Sequence, residues 1–434
     1  MHRRSALLPL VGLLAMSATA PVLSQTTGLR TQITQELFTF GTCGQPLCLD
    51  GALVGHGNHF IPASQVGTGS VLALLSNAIG TSVANTPVSA ASSGATFSFE
   101  GGLPVRTSGS AGPIFGERAQ TLGRGRFFVG VNVTGQHFER LRGVRLDNLQ
   151  FNFTHEDIAP AGRGDPDFEN DIIQVRVAMG VDLLVTSMFA SWGIVDGVDI
   201  GVSVPFVHTS IEGQSVAQIL PFGSGGTPLH AFGYDLNGDP ILTAVAATQG
   251  SATGVGDVAA RLKIGVFQSG KVGVALLGDA RFPTGDEENL LGAGQFSGRG
   301  LGIVSMKFGP FSPHANIGYA IRDANTENNS VLATLGFDNL LSPWATMAFD
   351  LISEWQVGDS KLQVPGTVVY TEPFPHTVEP TNLPSQKDNF MSASLGFKFQ
   401  TPRGITLVMN GLIPLRDSGL QPSAIWTGGL EYSF

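Results

Sequence analysis

Outside its N-terminal end, this sequence has no stretch that nears the ~20 consecutive apolar residues of a membrane-spanning helix. A helical membrane protein is therefore excluded. Charge is scarce: Asp, Glu, Lys and Arg make up 13% of the 434 residues, and the net charge of −10 argues against nucleic acid as a partner. Cysteine is nearly absent. Only Cys43 and Cys48 occur, and in an oxidising compartment a small disulfide loop between them is the expectation. His56 and His59 follow closely, but the Cys/His spacing departs from zinc patterns. No metal, cofactor or catalytic residue is assigned.

Glycine, by contrast, is plentiful, at 57 residues against 24 Lys plus Arg, and apolar content is 42%. The chain begins Met1-His2-Arg3-Arg4, followed by apolar residues 6–18 and then small ones. This order of basic, apolar and small segments reads as a secretory leader, expected over 1–24. No Cys follows directly, so a lipoprotein is not expected. An exported protein of this composition is either a secreted β protein or an outer-membrane barrel.

The last stretch decides between them. Trp426, Gly428, Leu430, Tyr432 and Phe434 fall on one face of a strand, and Thr427, Gly429, Glu431 and Ser433 on the other. An apolar outer and a polar inner face mark a strand between lipid and a wet lumen. The terminal Phe434 resembles the signal by which outer-membrane barrels are handed to their insertion machinery.

The same alternation recurs upstream. Strands are expected at 127–137, 171–184, 198–208, 255–267, 271–282, 301–308, 314–321, 331–338, 344–355, 390–400 and 405–414, with the closing strand as the twelfth. In the second, Ile173, Val175, Val177, Met179, Val181 and Leu183 are expected to face outward. Connections alternate long and short, which is the outer-membrane rule and puts both termini in the periplasm. The fold class is thus an all-β, transmembrane, antiparallel up-and-down β-barrel of about twelve strands, or fourteen if the 96–106 hairpin joins the wall. Residues 126–434 form the barrel, and 25–125 form an N-terminal plug or a periplasmic segment.

Parity assigns the inward side chains. The lumen-lining candidates are Arg176, Asp257, Arg261, Lys263, Asp279, Arg281, Asp350 and Glu354, with acids and bases roughly balanced. A register set by the turn at 268–270 puts Asp257 opposite Arg281 and Asp279 diagonal to Arg261. A ladder of salt bridges and a polar solute track both fit such pairs. Acids at 165–171 and 286–288 lie on outer loops, where divalent ions could bridge them to lipopolysaccharide; Asp235, Asn237 and Asp239 resemble only the start of a calcium loop. The second outer loop is apolar at Ile219, Leu220, Phe222, Ile241 and Leu242. A landing site for a hydrophobic solute and a loop folded over its own apolar residues remain equal readings. His208-Thr209-Ser210 is the only adjacent Ser/His candidate, and strand neighbours point to opposite faces.

Gly254-Val255-Gly256-Asp257 opens one strand, and Arg281-Phe282-Pro283-Thr284-Gly285-Asp286 closes the next. Together with residues 110–118 and 121–125, this pattern resembles the transporters grouped under the meta-pathway of phenol degradation, related to the long-chain fatty-acid transporter FadL. The likeness covers roughly residues 95–434. It implies a barrel with an N-terminal plug, and passive uptake of hydrophobic or aromatic small molecules. The alternatives are a general diffusion porin for small polar solutes, a barrel lipase and a purely structural or adhesive barrel.

Overall fold

The computed structural model describes residues 27–40, 46, 47, 49–51, 97–100, 103–106, 110–155, 157, 169, 171–221, 228–322 and 327–434. The leader, Cys43 and Cys48 with their expected disulfide, His56, His59 and Phe222 lie outside the described residues.

Twelve strands close into one antiparallel ring. They are β1 (Phe127–Leu141), β2 (Asp171–Val195), β3 (Val198–Pro221), β4 (Val258–Ser269), β5 (Val272–Phe282), β6 (Ser297–Met306), β7 (Phe311–Ile321), β8 (Ser330–Ser342), β9 (Ala345–Gln356), β10 (Phe390–Gln400), β11 (Ile405–Pro414) and β12 (Leu420–Ser433). Each strand pairs with the next, and β12 returns to β1. The expected strand windows are all present. The hairpin of Phe97–Glu100 with Leu103–Arg106 forms a separate two-stranded sheet, so the ring holds twelve strands and not fourteen.

One end of the ring carries the tight turns and the other the long connections. Gly197 and Gly404, both at φ 85°, supply the left-handed backbone that two of the turns need. The ring closes at the turn end. Phe127 N–H donates to the Phe434 carbonyl (2.9 Å) and Phe434 N–H to that of Phe127 (3.0 Å). Phe127 stacks on both Trp192 and Phe434, with centroids 5.7 and 5.6 Å away. This gives the aromatic girdle expected at a membrane boundary.

Met188, Trp192, Ile200, Val202, Leu276, Leu407, Trp426 and Leu430 project outward with 39–68% of their surface exposed. That apolar belt suits hydrocarbon and not water. The inner face is polar. Lys398 and Glu431 are buried and paired at 3.1 Å, and Thr134 bonds Thr427 at 3.0 Å.

Strands β2 and β3 are longer than a membrane requires. At ~3.3 Å per residue the 25 residues of β2 span roughly 80 Å, so more than half the strand stands beyond the lipid at the loop end. There β2 and β3 are flanked by Leu149–Thr154 and Thr243–Val255, which makes a four-stranded sheet. The sense of its amphipathicity inverts while its parity does not. In the barrel, odd-numbered Ser187 and Ser191 face inward and even-numbered Met188 and Trp192 outward. Beyond the barrel, odd-numbered Ile173, Val175, Val177, Val181 and Leu183 also face inward, at most 2% exposed. Their expected outward orientation is therefore corrected. Water lies outside this part of the strand, so the apolar face turns in. A polar row of His137, Asp182, His208 and Thr253 marks the change, with His137 bonded to Asp182 and His208 to Thr253, each at 2.7 Å.

The inward apolar face is covered by the N-terminal region. Helix Leu29–Thr34 and the turn after it bury Leu29, Ile33, Leu37, Phe38 and Phe40 against the sheet. Phe38 meets Phe151 and Phe153 edge-on at 5.8 and 5.9 Å. Five such side chains contribute about 1.5–3 kcal/mol each of gross burial. Residues 27–40 therefore sit at the loop end and Phe434 at the turn end.

Candidate solute cavity and its strap

Residues 110–125 cross the lumen near the turn end as an irregular strap. Its own sequence, with Gly112, Pro113, Gly116, Gly123 and Gly125, cannot sustain a strand or helix. Its backbone donors go instead to inward side chains of the wall, as buried N–H groups must. Ala111 N–H donates to Thr346 Oγ1 (3.0 Å), and Phe115 and Gly116 N–H donate to Asp350 Oδ2 (3.3 and 3.2 Å). Glu117 N–H donates to Asn316 Oδ1 (2.8 Å), and Asn316 Nδ2 donates back to the Glu117 carbonyl (2.9 Å). Ala119 N–H reaches Ser305 Oγ (3.1 Å) and Leu122 N–H reaches Asp199 Oδ2 (2.9 Å). Gly116 passes so close to the wall that a Cβ there would overlap His314 and Asp350.

Two neighbouring charges brace the strap in opposite directions. Glu117 receives Arg261 (2.9 Å) and Lys263 (3.2 Å) from β4. Arg118 pairs with Asp338 of β8, which also accepts from Ser110. Ile114 packs on Ala348 and Val408.

Between the strap and the loop end lies a cavity of about 320 Å³. Phe115 and Glu117 contribute to its lining from the strap side. One wall, from β4 to β6, presents Arg261, Asp279, Arg281 and Arg299. The other, from β8 through β12 to β1, presents Leu332, Ile352, Phe390, Leu412, Ile425 and Phe138. The cavity thus sets a cluster of charges on one side against a mixed wall on the other, where these apolar side chains alternate with Glu354, Ser353, Gln421 and Gln136.

The eight lumen candidates fall into different places. Arg261, Asp279, Arg281 and Glu354 line the cavity. Lys263 and Asp350 hold the strap below it. Asp257 turns away and receives Gly285 N–H (3.0 Å) and Ala293 N–H (2.8 Å), tying down the connection between β5 and β6. Arg176 is not in the lumen; it is exposed on the outer face of the β2 extension, bonded to Gln174 (3.1 Å). The expected register also shifts. Arg261 lies directly across from Asp279, and Arg281 across from Ala259, because the turn falls between Ser269 and Val272 and a bulge between Gly265 and Phe267 then moves the ladder by one residue.

The apolar second connection divides as well. Ile219 is in the buried loop-end core and Leu242 packs against it, Leu220 is half-buried, and Ile241 is 41% exposed. Asp165 and Asp167 lie outside the described residues; of the other loop acids, Asp171 accepts His230 N–H (2.7 Å), Glu287 pairs with Arg30, and Glu288 accepts Thr31 N–H (3.1 Å). Asp235 accepts the N–H groups of Asp239 and Asn237, both at 2.8 Å, and these bonds hold its carboxyl below the usual range. Among the described residues no three His, Cys, Asp or Glu are placed to hold a metal. His208 and Ser210, two apart, share the outer face of β3, which corrects the view that they diverge. His208 bonds Thr253 at 2.7 Å, and no hydrogen bond joins it to Ser210 among the described residues.

Glu117, Arg118, Asn316, His314 and Asp338 escaped the sequence reading. Strap residues carry no alternation to reveal them. Arg299 was missed because β6 begins four residues before the expected start at 301. Asp338 was detectable, since it lies on the inward parity of β8.

No curated protein matches the chain. Among solved structures it is similar to an outer membrane channel from Pseudomonas putida F1, at 10% identity and a TM-score of 0.40, over 73% of this chain and 98% of that one. It is also similar to the toluene transporter of Ralstonia pickettii (10% identity, 72% and 89% covered, TM-score 0.34) and to a FadL homologue of Pseudomonas aeruginosa (10%, 71% and 89%, 0.31). Residues 170–372, from the start of β2 to the connection after β9, match the family described as "Putative MetA-pathway of phenol degradation". That matched span includes the charged wall of the cavity.

Proposed function

We propose that this protein is an outer-membrane channel for passive uptake of hydrophobic or aromatic small molecules. The observation that carries the reading is the cavity of about 320 Å³, which presents Leu332, Ile352, Phe390, Leu412, Ile425 and Phe138 along the wall from β8 to β1 and is floored by a strap. Ligand pockets span ~300–1,000 Å³, so this one suits a small solute. The family description points to aromatic compounds. A porin for polar solutes needs an open water path, whereas here the strap lies across the lumen.

In this reading residues 1–24 direct export, the loop end faces outward toward lipopolysaccharide, and Phe434 meets the insertion machinery on the periplasmic side. Residues 110–125 act as the plug, and the helix at 29–34 braces the outer loops. The barrel has no enzymatic role.

Two measurements on refolded protein test this. Planar bilayers should show little steady ion conductance. Proteoliposomes should take up a radiolabelled arene such as toluene faster than protein-free vesicles. Large steady conductance, or no acceleration of arene entry by protein shown to be folded, refutes the reading.

A further inference from the structure

The cavity's charged wall is not closed on itself. Arg261 bridges Glu117 and Asp279, each at 2.9 Å, Lys263 adds to Glu117 at 3.2 Å, and Arg299 reaches Asp279 at 3.5 Å. Three cations therefore share two carboxylates. A fourth, Arg281, lines the cavity beside them, and its guanidinium has no hydrogen bond or ion pair among the described residues. Its electrostatic neighbours Asp279 and Asp257 are already committed, the first to Arg261 and Arg299, the second to Gly285 and Ala293 N–H. The buried Arg299 Nε also lacks an acceptor. The other charges around the cavity are satisfied locally: Arg322 holds Glu327 and Glu354, and Arg142 holds Asp388.

Across the ring the chemistry reverses. In a ring of twelve, the strand six places from β5 is β11, and β11 contributes Leu412, with Phe390 and Ile425 on its two neighbours. A guanidinium without an anion on one wall and an aliphatic and aromatic surface on the other define an amphipathic site. Burial of a planar, permanently charged group that offers several donors favours a carboxylate, which it can take bidentately.

We infer that Arg281, with Arg299 beside it, is an anion subsite, and that the solute class is a monovalent carboxylate on a small apolar body such as one aromatic ring. The carboxylate completes the charge pattern of β4 to β6 while its ring lies against Leu412 and Phe390. This inference rests on the uptake reading above and sharpens it from neutral hydrophobic compounds to aryl and short-chain organic acids.

The test compares 3-phenylpropionate with its neutral counterpart 3-phenylpropanol, by calorimetric binding to the purified full-length protein and by entry into proteoliposomes. The acid should bind roughly tenfold or more tighter than the alcohol, as expected for a charge-assisted bidentate contact. Arg281→Gln should bring the ratio of acid to alcohol affinity down to about one, while Arg281→Lys should keep part of the preference. Equal binding of acid and alcohol by the unaltered protein overturns the anion subsite and leaves the uptake reading standing. Failure of both probes to bind or enter overturns the uptake reading itself. The comparison on unaltered protein decides the matter even if the Gln variant does not fold.

Discussion

Replacing Arg118 by Met should open the lumen. Asp338, its partner, is fully buried, and Arg118 is 5% exposed. Without the guanidinium, Asp338 keeps only Ser110 as a polar contact from the strap. Stranding one member of a buried ion pair costs about 3–5 kcal/mol. That cost applies while the strap covers Asp338 and is relieved when the strap leaves and lumen water reaches the carboxylate. The equilibrium between strap in and strap out should shift by ~3 kcal/mol or more, about two decades in population. Single-channel recording in planar bilayers is the assay: the variant should show frequent or sustained openings where the unaltered protein is nearly silent. The double variant Arg118→Met with Asp338→Leu removes the stranded charge and should close again. Heat-modifiable gel mobility verifies that each barrel is folded. If Arg118→Met conducts no more than the unaltered protein, this pair does not hold the strap and the reasoning fails.

Other consequences are equally direct. Gly116→Ala pushes a methyl into His314 and Asp350, so it should also raise conductance, and His314→Ala in the same chain should partly restore closure. Lys398→Met leaves Glu431 uncompensated in the wall and should cost about 3–5 kcal/mol in urea unfolding, whereas Lys398→Met with Glu431→Leu should be near neutral. Leu430→Arg places a charge in the lipid belt and should destabilise the barrel by ~2–4 kcal/mol in lipid, and a loss below 1 kcal/mol would refute the assigned outer face.

The ring was legible because lipid imposes alternation. From β3 to β12, apolar residues such as Ile200, Leu276 and Leu430 repeat at every second position outside, and the tight turns between hairpins set the count. Three features were not legible, each for a physical reason. The alternation of β2 continues without a break from lipid into water, so the inward turn of Val175 and Leu183 depends on knowing where the membrane ends. The Arg261–Asp279 pairing depends on a bulge, and a bulge has no signature in a two-residue period. The strap holds its place through side chains from six strands far away in sequence, so nothing local announces Glu117 or Arg118 as part of the site.

The strap also constrains how the molecule is built. It directly precedes β1, and β1 forms the closing seam with β12, the last strand made. Its acceptors lie on β3, β6, β7 and β9, and its ion-pair partners on β4 and β8. With β5 between them these strands make up β3 to β9, an open, curved sheet on which the strap can be laid from the side. Once β12 meets β1, the same segment can reach its partners only from an open end of the ring. The side approach is open only before the seam forms, so assembly that lays the strap down first has the shorter path to these hydrogen bonds.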